Sequence, residues 1–235
     1  MSNNYFQFKQ FRINQEHCAM KVSTEGCILG ASVNYSNPVK ILDIGAGTGL
    51  LTLMLAQRYQ CAIHAVEIES NAALQANQNF QDSPWKERLK IIPTDIQYFK
   101  SSSTEKYDLI ISNPPFFKKA LKSTNKEKNL AKHDDSLPKT LLVQSIKGLL
   151  STEGVAFVLL PDDEANNLKL VAEQHDFASK DYITVKNKPG PKIFRKIIAL
   201  GYIQNIEPKE LIIRHSDGSY TADFIGLMNP YYLNF

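Results

Sequence analysis

The sequence predicts an α/β fold: one mostly parallel sheet with helices packed on both of its faces. Three observations predict it. Short apolar runs alternate with helical patterns from Val39 onward. A glycine-rich turn follows the first of those runs. The last two runs are joined through Pro189-Gly190-Pro191, as a hairpin would be.

"VKILDI" (39–44) reads as a buried strand and "GLLTLMLAQRY" (49–59) as a helix. "AIHAVEI" (62–68) is a second strand, and "SNAALQANQNFQ" (70–81) a second helix with Ser70 as its cap. "RLKIIPTD" (88–95) and "YDLIIS" (107–112) are the third and fourth strands. "PKTLLVQSIKGLL" (138–150) is a helix, "GVAFVLLP" (154–161) a fifth strand, and 163–174 the next helix. "DYITVKN" and "KIFRKIIALGYI" close the series as two strands. Residues 101–104 read as a loop, and 220–233 as a terminal helix ended near Pro230. The chain of 235 residues is expected to be one domain. Its parts are an N-terminal segment (1–38), a core (39–205) and a C-terminal extension (206–235).

A hydrophobic content of 43% with 22% charged residues reads as globular and soluble. No apolar run reaches the length of a membrane span, and the N-terminus lacks a signal-type apolar segment. A cytoplasmic location is expected. Cys18, Cys27 and Cys61 are scattered and never form CxxC, so neither a disulfide framework nor a metal site is expected. The net charge of +3 hides two basic stretches. Residues 117–132 and 186–196 each carry +5, which leaves −7 for the rest. That distribution points to a polyanionic partner at defined places. No stable protein partner is inferred.

"DIGAGTGL" (43–50) lies between the first strand and the first helix. Gly45, Gly47 and Gly49 let the backbone turn sharply and approach a ligand. The spacing is GxGxG, not the GxGxxG of dinucleotide binders. Glu67 ends the second strand, where a carboxylate can accept from both hydroxyls of a ribose. Asp95 ends the third strand and either accepts from an adenine amino group or caps a turn. Turn and acids together describe an adenosine pocket, for S-adenosylmethionine or a nicotinamide dinucleotide.

"NPPF" (113–116) ends the fourth strand. Asn113 and Pro114 both precede a proline and are pushed to extended conformations. The segment therefore aims two acceptors stiffly, the Asn113 side-chain oxygen and the Pro114 carbonyl, beside the flat ring of Phe116. An exocyclic amine has two protons to donate and a base face that stacks. Held this way, its nitrogen lone pair turns out of conjugation toward an electrophile. That chemistry selects S-adenosylmethionine over the dinucleotide.

DIGAGTG, Glu67, Asp95 and NPPF, in this order and spacing, resemble the S-adenosylmethionine-dependent amino-methyltransferases of Rossmann-like fold. Within them the chain is similar to the bacterial tRNA adenine-N(6) methyltransferases that modify valine tRNA next to the anticodon. "FKQF", "CAMKV", "TEG", "ILGA" and "ADFIGL" extend the resemblance over nearly the whole chain. It implies a seven-stranded sheet with the last strand antiparallel, and S-adenosylmethionine and tRNA as ligands. It implies that Asn113, Pro114 and Phe116 are catalytic. It implies a cofactor site of Asp43, Gly45, Gly47, Gly49, Glu67, Asp95 and Asn113, with Lys21, Thr24 and Gly26 near the methionine end. Phe116, Phe117, Lys118, Lys119, Lys122, Lys192 and Arg195 are expected to meet substrate. Family members often have Asp where Glu25 stands and Tyr where Phe116 stands. His133 is assigned no role. The alternatives are guanine of ribosomal RNA or glutamine of a release factor as acceptor, and a non-catalytic RNA-binding module.

Overall fold

Buried apolar strands, each facing a helical layer on both sides, set the frame of the molecule. The computed structural model describes residues 3–16, 21–115 and 137–234. Its main sheet holds β3 (Lys40–Ile44), β4 (Ala62–Glu67), β5 (Leu89–Pro93), β6 (Tyr107–Ser112), β7 (Leu150–Leu160), β8 (Ser179–Lys186), β9 (Arg195–Gly201) and β10 (Lys209–Ile212). Their spatial order is β10-β8-β9-β7-β6-β3-β4-β5. β9 runs antiparallel to β7 and to β8, and the other neighbours pair in parallel. The seven strands β3 to β9, the last antiparallel, are those the sequence implies. β10 is an eighth, drawn from the segment read as an extension.

Successive residues in each strand face opposite layers. Ile41, Ile63, Leu109, Ile111 and Phe157 join one core cluster, and Leu42, Ile44, Ile110, Ala156 and Val158 join the other. The first layer holds α1 (Thr24–Ser32), α2 (Leu50–Arg58) and α3 (Ser70–Gln81), and α7 (Ala222–Met228) packs on α1. The second holds α4 (Ile96–Ser102), α5 (Lys139–Leu149) and α6 (Asp162–Gln174). α4 occupies part of the stretch read as a loop. Ser70 is not the cap of α3: the side chain of Glu69 accepts from Asn71 N–H (3.1 Å) and Ala72 N–H (2.7 Å). A carboxylate there meets the unpaired N–H groups and positive end of the helix, which a serine hydroxyl one residue later cannot reach.

The N-terminal segment is structured. β1 (Tyr5–Gln7) and β2 (Arg12–Asn14) form an antiparallel hairpin. It meets the far end of the chain, where Lys9 N–H donates to Tyr231 O (2.8 Å) and Lys9 Nζ to Asn229 O (2.6 Å). The Tyr231 hydroxyl donates to Met54 O of α2 (3.3 Å). Among the described residues no helix is long and apolar enough to cross a membrane.

Parallel pairing has one geometric result that matters for the site. The carboxyl ends of β3, β4, β5, β6, β7, β8 and β10 all fall on one edge of the sheet. β9 starts there, with Lys196 opposite Leu160. The glycine turn, Glu67, Asp95, Asn113 and the loop 187–194 therefore share that edge.

Candidate active site

The turn after β3 is tied to β4, because Gly45 N–H and Ala46 N–H both donate to Val66 O (2.8 and 3.2 Å). Gly45 and Gly47 adopt φ of +74° and +54°, and a Cβ on either would meet nothing within 4 Å. Their backbone borders open space on the ligand side. Gly49 serves a different need: at φ +82°, a Cβ would run into the Phe80 ring of α3. Beneath the turn Asp43 is fully buried. Its Oδ2 accepts from Thr52 N–H (3.1 Å) and Thr52 Oγ1 (2.8 Å), fixing the start of α2. Its Oδ1 has no partner among the described residues. Burial pushes the Asp43 carboxyl up to about 7, against the pull of the Thr52 bonds and with added repulsion from Glu67.

Glu67 is buried at the end of β4. Its Oε2 accepts from Gly47 N–H (2.8 Å) and its Oε1 from Glu69 N–H (2.9 Å). The acid thus shapes the glycine turn, and a second lone pair on each oxygen remains for a ligand. Thr94 N–H donates to Glu67 O (2.9 Å), which brings the end of β5 alongside. Asp95 caps α4, with Oδ1 accepting from Gln97 N–H (2.7 Å) and Tyr98 N–H (3.2 Å). Capping was one of the two readings open for Asp95, and it leaves Oδ2 for the other.

Ser112 Oγ donates to Ile44 O (2.8 Å), so Asn113 exits β6 directly beside the glycine turn. Asn113 Oδ1 is buried with no partner among the described residues. Pro114 is buried and Pro115 exposed. The amide nitrogen of Asn113 lies 3.7 Å from where a Cβ on Gly26 would stand, so the first turn of α1 abuts it. Ser23 caps α1, accepting from Gly26 N–H (3.2 Å). Lys21 and Thr24 are exposed just before and at the start of this helix. Phe116, Phe117, Lys118, Lys119, Lys122 and His133 lie outside the described residues.

Two contributors were missed by sequence reading. Asn79 is buried on α3 and donates to Asn14 O (2.9 Å) and Thr48 O (2.8 Å), pinning hairpin and glycine turn together. Gln15 accepts from Val22 N–H (2.8 Å) and holds the approach to α1. No sequence signal marks either, since buried amides look like surface ones in a string.

The second basic stretch breaks up on folding. Lys186 pairs with Glu210 (2.7 Å), and Lys196 with Asp162 (2.8 Å) and Asp181 (3.4 Å). Arg195 pairs with Glu25 through two bonds, at 2.9 and 3.1 Å. Three of its five cations thus face carboxylates. Lys188 and Lys192 are exposed, with no acidic partner among the described residues.

Residues 26–137 match the family model of the Methyltransferase small domain. A solved structure described as a predicted O-methyltransferase from Agrobacterium tumefaciens shares the fold at TM-score 0.66 and 14% identity, over 87% of this chain and 95% of that one. P. horikoshii TYW2 in complex with MeSAdo aligns at TM-score 0.57 and 10% identity, over 83% and 69%. Curated relatives named tRNA1(Val) (adenine(37)-N6)-methyltransferase span the full length. The one from Trichodesmium erythraeum is 41% identical over 100% of both chains. The one from Aliivibrio salmonicida is 41% identical over 99% of both, and that from Cytophaga hutchinsonii 40% over 100% of both. With identity of that order carried from end to end, the chain belongs to the tRNA1(Val) (adenine(37)-N6)-methyltransferase family.

Proposed function

We infer that this chain methylates N6 of adenine 37 in a valine tRNA, as the names of its relatives state for them, with S-adenosylmethionine as the donor. One observation carries the chemistry. Asn113 Oδ1 is a buried amide oxygen without a partner among the described residues, at the exit of β6 beside an open glycine turn. Such an acceptor costs about 1–3 kcal/mol when left unmade, so it is suited to receive a donor. An exocyclic amine is that donor, and the Pro114 carbonyl is the second acceptor.

The residues fit the cofactor. Open space at Gly45 and Gly47 suits a close backbone approach, and the remaining lone pairs of Glu67 suit ribose hydroxyls. Asp95 Oδ2 suits the adenine amino group, and Lys21 and Thr24, exposed just before and at the start of α1, would serve the methionine end. Bound S-adenosylmethionine supplies a methyl group activated by its sulfonium. The chain's own work is orientation, which can be worth several kcal/mol. Two acceptors hold the target amine so that its lone pair faces the methyl carbon. Methyl transfer from that sulfonium would leave the amine with one surplus proton, which it would lose to water, so these residues need supply no strong base.

A loop adenine next to the anticodon is already unpaired, which removes most of the cost of extracting it. Phe116 would stack on it for about 1–3 kcal/mol. Lys118, Lys119 and Lys122 follow at once and would meet phosphates, with Lys192 on the same edge of the sheet. The test is incubation with unmodified valine tRNA and labelled cofactor, then nuclease digestion and mass spectrometry. N(6)-methyladenosine at position 37 is expected, with an isolated anticodon stem-loop a poorer substrate. Methylguanosine, or transfer to a release factor and not to tRNA, would overturn the assignment.

A further inference from the structure

We propose that the Glu25–Arg195 ion pair is a latch that seats the first turn of α1 against Asn113, which makes both side chains positioning residues for methyl transfer. The proposal rests on the function inferred above and departs from the expectation that Arg195 itself meets RNA.

The pair is a two-pronged one: Arg195 Nη2 to Glu25 Oε1 (2.9 Å) and Nε to Oε2 (3.1 Å). Both side chains are only 20% exposed, so water screens the pair less than a surface bridge. Arg195 is anchored from behind, since its Nη1 donates to Phe194 O (2.7 Å) and its guanidinium lies 4.5 Å over the Phe194 ring. Rigid β9 therefore holds one end of the bridge. At the other end Glu25 is the second residue of α1, where the helix's positive end favours a carboxylate. The next residue, Gly26, sits between Leu50 and the Asn113 amide, and a Cβ there would stand 3.2 Å from one and 3.7 Å from the other. Any drift of the first turn thus moves the wall of the Asn113 amide. A phosphate approaching Arg195 would find Nε and one Nη2 proton already held by Glu25, and would meet the repulsion of that carboxylate at close range.

The experiment uses Glu25→Ala, Arg195→Ala and the double variant in the full chain. Three quantities are read: amide hydrogen exchange over residues 24–30 without cofactor, the tRNA dissociation constant with its salt slope, and the single-turnover rate at saturating tRNA. Each single variant is expected to raise exchange at the start of α1 and to lower the rate, both by about tenfold or more. The double variant should fall no further, because either change alone opens the latch. The tRNA dissociation constant should stay within about threefold and its salt slope unchanged. Arg195→Ala that weakens tRNA binding and cuts the slope by about one unit, while Glu25→Ala keeps the rate, would make Arg195 a phosphate ligand and sink the latch. Unchanged exchange in both single variants would sink it too. Should Arg195→Ala not fold, Arg195→Lys decides: it keeps the charge and loses the fork, so the rate should still fall with tRNA affinity intact. If the parent chain fails to methylate tRNA, the functional reading falls, while the exchange measurement still judges the latch.

Discussion

On the function proposed above, Asn113 orients the target amine and takes no proton from it, and its expected behaviour differs from that of a general base accordingly. Asn113→Ala should leave cofactor affinity nearly intact and lower single-turnover methylation by at least about 10²-fold, the scale of a lost orienting group. Titration calorimetry and rapid-quench kinetics separate the two effects, and a rate within about fivefold of the parent would remove Asn113 from the chemistry. Asp43 makes a prediction about pH. Its carboxyl rises from 3.8 in the open chain to about 7 when buried. Between those values the native state binds the extra proton, so its contribution to stability is complete below about pH 4 and is lost as pH climbs through 7. Asp43→Asn keeps an acceptor for Thr52 and cannot ionise. Denaturant unfolding without cofactor should therefore show the variant gaining on the parent from pH 4 to 7, and a flat difference would contradict the assignment. These residues were legible from their place at strand ends. What they bond to was not. Glu67 stood out as an acid after β4, yet nothing in the string tells that its oxygens hold Gly47 N–H and Glu69 N–H, because that depends on how the turn curls back.

The sequence disclosed the strands β3 through β9, which have length and an unbroken apolar pattern, and a terminal helix over 220–233, of which 222–228 are helical as α7. Those it hid share the opposite traits. α4 has seven residues, with Ile96 and Phe99 its buried pair, too short a repeat to separate from a loop. β10 has four, half of them exposed, at the edge of the sheet. α1 is buried from Gly26 to Ser32, so no polar face gives it a period, and two glycines weaken it further. It is held by its cap, by α2 and α7 and by the Arg195 bridge, none of them local in sequence except Ser23. Caps are where sequence reading erred by one residue, and they are easily tested. Glu69→Ala should lower stability by about 0.5–2 kcal/mol and speed amide exchange in the first turn of α3, whereas Ser70→Ala should do neither. Equal effects from the two would restore Ser70 as the cap.

Charge reads differently over the whole molecule than along the chain. A run of +5 at 186–196 becomes three paired cations and two exposed lysines once its neighbours arrive. Salt dependence of tRNA binding should register that sorting. Replacing Lys118, Lys119 and Lys122 together should flatten the log–log slope by about 2 units or more, and Lys188 with Lys192 by about 1 to 2. Lys186→Ala and Lys196→Ala should leave the slope unaltered and act on stability; a change of a full unit from either would mean that the ion pairs open for RNA. The closure between the hairpin and the chain's far end has a consequence of another kind, in the order of synthesis. Lys9 and Asn229 meet across 220 positions. At about 5–20 residues per second a ribosome delivers the second roughly 10–40 s after the first. Through that interval Phe8 and Phe11, which the finished molecule buries almost completely, wait without the Tyr232 ring that packs on Phe8. Until that ring arrives, the nascent hairpin presents one aromatic face, at Phe6 and Phe8, that nothing from residues 229–232 yet covers.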